Sequence, residues 1–356
     1  MNQNDIDLMD SLLSVYTPSG EEYRGIEIIR KWIHKNVPNA SECYNDKIGN
    51  VAFSFGHGPK KIMVSGHIDE VCLRVKSITN EGFIIPVNAG GFDKKILPGS
   101  EVVILADDGS KIAGNVLTAP IHIWAHKKEN MDKAWNFSDM RIDIGYESKE
   151  KVEAVGIHEG SIICPKHKFN SQFGENRLFG NALDDKAGVW ITLSLLKELS
   201  NRNYLNTDKV TFIAAICVGE ETGLRGAKVI SHNINPDISI DIDVTHANDY
   251  GLLSGDDDTH IRLAKGFVIS YGPDKSNRLN KIIESASKDS YIDFQREATR
   301  SGGTDTDSIQ LYSSDCETTL ISLPLLAMHT PVETMDWRDI ISAKYVLISV
   351  IESLDK

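Results

Sequence analysis

Apolar positions recur along this chain at two different spacings, and the spacing changes where the architecture should change. Near the amino terminus, NDIDLMDSLLSVY and EEYRGIEIIRKWIHKNV carry apolar residues three and four apart, and the second puts Ile26, Ile29, Trp32 and Ile33 on one side. That is the period of an amphipathic helix. NVAFSF reads as a strand, and KKIMVSGHIDEV is a short apolar run that breaks into polar residues at Gly66, as a buried strand does at the carboxyl edge of a sheet. From Cys72 to residue 166 the runs become short and β-rich (EGFIIPV, SEVVILA, GNVLTAPIHI, RIDIGY), separated by turn clusters TNEG, NAGG and ADDGS. The longer periods then return. DDKAGVWITLSLLKELS, GLRGAKVISHN, SNRLNKIIESASKDS and DWRDIISAKYVLISVIESL read as helices, and KVTFIAAICV, ISIDIDV and TTLISLPLL as strands.

Helices alternating with buried strands predict an α/β domain with a mostly parallel sheet and helices on both faces. The pattern assigns residues 1–71 and 167–356 to that domain and residues 72–166 to an inserted β-rich module. The segment AHKKENMDKAWNF predicts a polar, mobile loop.

Composition narrows the function. At 356 residues the chain is longer than one compact core usually holds, which agrees with two modules. Hydrophobic content of 41% and charged content of 25% are those of a soluble globular protein, and no apolar run has the length of a membrane span. The amino terminus is acidic and amphipathic, unlike a secretory signal, which predicts a cytoplasmic protein. Five scattered cysteines, none in a CxxC pair, predict reduced packing residues and no thiolate zinc site. A net charge of -13 argues against nucleic acid and membrane surfaces as partners.

Ligands of open α/β sheets bind beyond the carboxyl ends of the strands. At those ends the sequence places His67 and Asp69, then Asp184 and Asp185 ahead of a helix, then Glu220 and Glu221, then Asp243, and lastly His329. Each alone has an ordinary reading: a packing histidine, a helix N-cap, a solvated charge run, a polar strand end. Together they suit a pair of divalent cations that share a carboxylate and keep a position for a water, which loses its proton near neutral pH. Glu221 then binds metal while its neighbour Glu220 acts as general base, and Asp69 accepts the other ring N–H of His67. His246 and Asp249 in THANDYG are weaker candidates, suited to a supporting place near the site.

At these residues the sequence resembles the tetrahedral (TET) aminopeptidases, a group that includes glutamyl and deblocking aminopeptidases and relatives sometimes named endoglucanases. The resemblance runs nearly end to end, through TPSGEE (17–22), GHIDEV (66–71), GGFDKKILPGSEV (90–102), IDIG (142–145), NALDDKAG (181–188), GEETGLRGA (219–227), IDVTHAND (242–249), GGTDTDSIQ (302–310) and HTPVE (329–333). It implies a zinc-exopeptidase-like α/β domain with an inserted PDZ-like β-barrel. It implies that His67 and Asp243 hold one metal, that Glu221 and His329 hold the other, and that Asp184 bridges them. By the same resemblance Glu220 is the base and Asp69 orients the histidine. The metals would be zinc or cobalt, with manganese also suited to such ligands. The substrates would be peptides cut at the amino terminus, and the assembly a homo-oligomer between dimer and dodecamer. Three departures stand out: Leu326 and Ala327 replace a usual Arg-Tyr pair, Thr222 a common Val, and Lys186 a common Arg.

Two rival readings have definite requirements. A glycoside hydrolase needs two acids roughly 5–10 Å apart and has no use for His67 and His329. A non-catalytic peptide-binding protein with structural metals would have closed ligand shells and no role for Glu220.

Overall fold

The long apolar runs form the centre of one sheet. A computed structural model of the chain describes residues 3–124, 134–202, 205, 207–251, 253, 260–300 and 303–354. The chain opens with α1 (Gln3–Leu13), α2 (Tyr23–Asn36), β1 (Ser41–Asn45), β2 (Val51–Phe55) and β3 (Lys60–His67). It continues through β4 (Cys72–Ile78), β5 (Ile84–Ala89), β6 (Glu101–Leu105), β7 (Lys111–Leu117), α3 (Ile121–Trp124), β8 (Arg141–Asp143), α4 (Lys149–Ala154) and β9 (Ile162–Pro165). Next come β10 (Asn170–Phe173), β11 (Arg177–Gly180), α5 (Leu183–Arg202), β12 (Val210–Cys217), α6 (Arg225–Ile234) and β13 (Ile238–His246). The last elements are β14 (Phe267–Tyr271), α7 (Asn277–Asp289), β15 (Phe294–Ala298), α8 (Asp305–Tyr312), β16 (Glu317–Leu325), β17 (Glu333–Asp336) and α9 (Trp337–Leu354).

The chain divides into two compact units, one of Met1–Glu70, Phe169–Met328 and Val332–Lys356, the other of Val71–Lys168 and His329–Pro331. The first holds an eight-stranded sheet in the order β1-β2-β12-β3-β13-β16-β14-β15. Its middle pairs, β12 with β3, β3 with β13 and β13 with β16, are parallel, while β2 and β14 join antiparallel on either side. Side chains alternate across the strands and so feed two cores. On β12, Phe212, Ala214 and Ile216 enter the large core with Trp190 of α5 and Leu347 of α9. Ile213, Ala215 and Cys217 enter a smaller one with Ala227 and Ile230 of α6 and Ile309 of α8. Helices therefore cover both faces. A separate small sheet has the order β10-β11-β17.

α5 is the central helix of the large core. Its Trp190 is fully buried, donates its indole N–H to the Asp5 carbonyl at 2.9 Å, and meets Trp337 edge-on with centroids 5.4 Å apart. Leaving that N–H without an acceptor in the core would cost on the order of 1–3 kcal/mol, so α1 is tied to α5 by more than apolar contact.

The second unit is a closed barrel in the order β4-β5-β8-β7-β6-β9, filled by Leu73, Val75, Ile84, Val102, Ile104, Val116, Ile142 and Ile163. The run GNVLTAPIHI is not one strand: β7 ends at Leu117 and a helical turn, α3, begins at Ile121. Pro120 has no N–H for a ladder, which is why the strand does not continue through it. Residues 125–133 of the expected polar loop, and Gly302, lie outside the described residues. Among the described residues no helix is long and apolar enough to cross a membrane. All five cysteines are free thiols; Cys72, Cys164 and Cys217 are buried, Cys316 is partly covered and Cys43 is exposed.

Candidate active site

The parallel register decides what meets at the carboxyl edge. Cys217 of β12 lies opposite His67 of β3, so the turn carrying Glu220 and Glu221 leaves the sheet beside that histidine. Asp241 of β13 lies opposite Ser65, which sets Asp243 level with His67 on the other side. Residues two apart share a face, so Ser65, His67, Asp241 and Asp243 point the same way.

The start of α5 approaches this face closely. Asp184 and Asp185 have non-helical backbone angles, and the peptide joining them is cis. The two acids divide the work that a single N-cap would do. Asp185 accepts the Gly188 N–H at 2.9 Å, as a cap does, and the His67 N–H at 3.3 Å. Asp184 turns to the imidazole, its Oδ1 lying 3.2 Å from His67 Nε2. A Cβ on Gly66 would stand 2.9 Å from Asp185 Oδ2 and from the Gly188 carbonyl carbon, so only glycine admits the helix here.

His67, Asp184 and Glu221 form the candidate metal centre: one ligand atom from each lies within 4.8 Å of the others. Glu220 Oε2 is 3.9 Å from His67 Nε2. The opposite ring nitrogen, Nδ1, lies 3.2 Å from the Asp69 carbonyl and 3.5 Å from its Oδ1. Asp69 is fully buried and also accepts the Glu220 N–H at 2.9 Å and the Glu221 N–H at 3.2 Å, so one carboxylate fixes both the imidazole and the Glu-Glu turn.

The electrostatics of the arrangement follow from its burial and crowding. Burial alone would push His67 down, but hydrogen bonds to Asp184 and Asp69 hold its pKa well above the usual histidine range. Burial, aided by the carboxylates of Asp243, Asp305 and Glu221 and opposed by His67, pushes Glu220 up to about 10. Asp243 is raised first by burial and then by Asp184; its Oδ1 accepts the Val244 N–H at 2.7 Å. These buried acids crowd one imidazole and repel one another, and bound cations would supply the opposite charge that offsets them. The donors, imidazole nitrogen and carboxylate oxygen, suit a divalent metal.

The remaining candidates fall in different places. His329 is grouped with the barrel unit, where its Nδ1 meets the Gly91 carbonyl at 2.7 Å. A proton on Nδ1 leaves Nε2 with the lone pair that a cation needs. His246 is exposed at the end of β13, and Asp249 accepts the Leu263 N–H at 2.9 Å. Leu326 is 8% exposed and packs with Ala247, Ile261, Leu263 and Val268, while the Ala327 N–H reaches the Tyr250 hydroxyl at 3.4 Å. Lys186 is buried, donates to the Val15 carbonyl at 2.8 Å and lies 3.6 Å from Glu70. Two residues given no role by the sequence stand close by. Glu333 accepts the Asp184 N–H at 3.2 Å, and Asp305, 2% exposed, stands against Asp241 and the Cys217 thiol. Their signal was present in HTPVE and GGTDTDSIQ, without a chemistry attached.

The model of the M42 glutamyl aminopeptidase family matches residues 49–346. The chain belongs to the M42 glutamyl aminopeptidase family. This M42 chain is 29% identical to the lysyl aminopeptidase of Pyrococcus furiosus, over 98% of its own length and 97% of that protein's. A TET aminopeptidase from the marine sediment archaeon Thaumarchaeota archaeon SCGC AB-539-E09 superimposes with a TM-score of 0.91 at 27% identity, covering 99% of this chain and 98% of that one. A Pyrococcus horikoshii TET1 peptidase that can assemble into a tetrahedron or a large octahedral shell gives 0.81 at 28% identity, covering 99% of each chain. The protein is a peptide hydrolase of the aminopeptidase kind. M42 peptidases are metal-dependent, and among the described residues the His67, Asp184 and Glu221 cluster offers matching donors.

Proposed function

We propose that the chain is a two-metal aminopeptidase that removes residues from the amino termini of peptides, with Glu220 as general base. His67 and Asp243 would hold one cation, Glu221 and His329 the other, and Asp184 both. When bound, the cations would acidify a water, polarise the scissile carbonyl and bring Glu220 back into a working range. Glu220 takes the proton of the attacking water and returns it to the leaving amine. Asp69 holds the His67 ring and the two glutamate N–H groups in fixed directions, so Glu220 needs no reorganisation as the proton moves. The observation that carries the reading is the approach of Glu220 to within 3.9 Å of His67 Nε2, beside a cluster made of imidazole and carboxylate. Zinc or cobalt is the proposed metal and manganese a substitute. A homo-oligomer is proposed because the TET1 peptidase, of the same fold, assembles.

The test uses metal-free protein refilled with zinc, cobalt or manganese and a panel of aminoacyl anilides. Glu220→Gln is expected to keep fold and metal content and lose about 10²–10⁴-fold in kcat, the size of a missing general base. An active Glu220→Gln enzyme overturns the assignment, and chelator-resistant cleavage overturns the metals.

A further inference from the structure

The motif TPSGEE, ahead of α2, takes no part in the chemistry above, yet its residues are built against the part that does. Pro18 pairs with Glu70 in an isolated parallel bridge. The Ser19 N–H donates to the Glu70 carbonyl at 3.2 Å, and the Glu70 N–H donates to the Thr17 carbonyl at 3.0 Å. The segment is thereby strapped alongside Asp69 and Glu70. Its side chains reach further. The Ser19 hydroxyl donates to Asp69 Oδ2 at 2.7 Å, on the carboxylate that accepts the Glu220 and Glu221 N–H groups. Glu22, only 4% exposed, accepts the Gly20 N–H at 2.8 Å, and its carboxylate also meets the Gly219 backbone N–H. Successive amides, those of Gly219, Glu220 and Glu221, are therefore held by two buried carboxylates.

That turn needs holding. It follows β12 and precedes α6, and Gly219 sits at a φ of +65°. Its carbonyls accept backbone N–H groups, Glu220 those of Gly223 and Leu224 at 2.9 Å each and Gly219 that of Arg225 at 3.1 Å, while its own N–H groups turn to carboxylates. The planes on either side of Glu220 set the direction of its side chain, and an error of an ångström there is felt strongly in proton transfer. We propose that Ser19 and Glu22 are positioning residues that lock the Gly219–Glu221 turn, Ser19 through Asp69 and Glu22 through the Gly219 N–H, and so aim the Glu220 carboxylate. The inference rests on the reading of Glu220 as the base.

The experiment compares wild type, Glu22→Ala, Glu22→Gln and Ser19→Ala as full-length protein. It reads kcat and KM on an aminoacyl anilide, metal content, and hydrogen exchange of residues 218–222 in the metal-free state. Glu22→Ala is expected to lose about 10–100-fold in kcat with KM within about twofold, metal content unchanged, and faster exchange at the turn. Glu22→Gln keeps an oxygen for the Gly219 N–H and is expected to recover most of that loss. Ser19→Ala, a small deletion, carries the test if Glu22→Ala does not fold, and is expected to speed exchange at Glu220 and Glu221. Unchanged kcat and unchanged exchange in both alanine variants of an active enzyme overturn the proposal, as does a parallel loss of metal, KM and fold. A wild type that cleaves no anilide overturns instead the reading on which it rests.

Discussion

At His67 the two ring nitrogens face different acids, and that decides what each neighbour does. Nε2 faces Asp184 at 3.2 Å, and Nδ1 faces the backbone and side chain of Asp69. Removing a ligand should therefore differ from removing an orienting group. His67→Ala and Asp184→Ala are expected to lose bound metal in elemental analysis of the dialysed protein. Asp69→Asn is expected to keep its metal while weakening affinity by about 10–100-fold in a chelator competition. Equal metal loss in all three would mean that Asp69 is a ligand itself. The residues concerned were legible in the sequence because each interrupts an apolar run: His67 after KKIMVSG, Glu220 and Glu221 after TFIAAICVG, Asp243 inside ISIDIDV. Glu333 was not, because a glutamate following Pro-Val reads as surface until the Asp184 N–H is found on it. The division of labour between Asp184 and Asp185 was likewise invisible, since either residue of the doublet has the chemistry for a cap.

At the scale of elements, strands buried on both faces announce themselves and edge strands do not. β3, β12 and β13 read as long apolar runs; β15, with the sequence FQREA and only β14 beside it, carries no apolar period to detect. What secures this edge is polar. Glu284 on α7 accepts from Arg296 of β15 at 2.5 Å and from the Tyr271 hydroxyl of β14 at 2.7 Å, clipping the helix to both strands. The Arg296 guanidinium holds the Glu284 carboxyl down, against burial and with help from Tyr271, to about 2. A carboxyl whose pKa is lower in the folded state than in the unfolded one adds stability above the unfolded value, near 4.3, and loses it as pH falls toward the folded value. Arg296 is 52% exposed, so solvent screens the pair and reduces its contribution to about 0.5–1 kcal/mol. Glu284→Gln is expected to be less stable than wild type by that amount in urea unfolding at pH 7. The gap should narrow below about pH 4 and close as pH nears the folded value. A gap that stays constant across that range would show that lost packing, not charge, is responsible.

For the molecule as a whole, the net charge of -13 is unevenly spent, because several acids are buried around one imidazole. Their repulsion opposes folding, and any cation that binds only the folded chain offsets it by mass action. At a free concentration 100-fold above the dissociation constant each site adds about 2.7 kcal/mol. At roughly 1–2 °C per kcal/mol for a chain of this length, the two proposed sites should raise the melting temperature by about 5–10 °C over the metal-free protein. Chelation is expected to lower Tm by that order, and zinc or cobalt to restore it. Asp184→Ala tests whether the shift comes from this centre. It is expected to abolish the response to metal, with a lower metal-free Tm than wild type because His67 loses its Nε2 partner, a loss partly offset by removing one of several buried acids that repel each other. If instead wild type melts at one temperature with and without metal, the crowd of buried carboxylates is stabilised by protons alone, and the argument from charge to cation fails even though the family and fold stand.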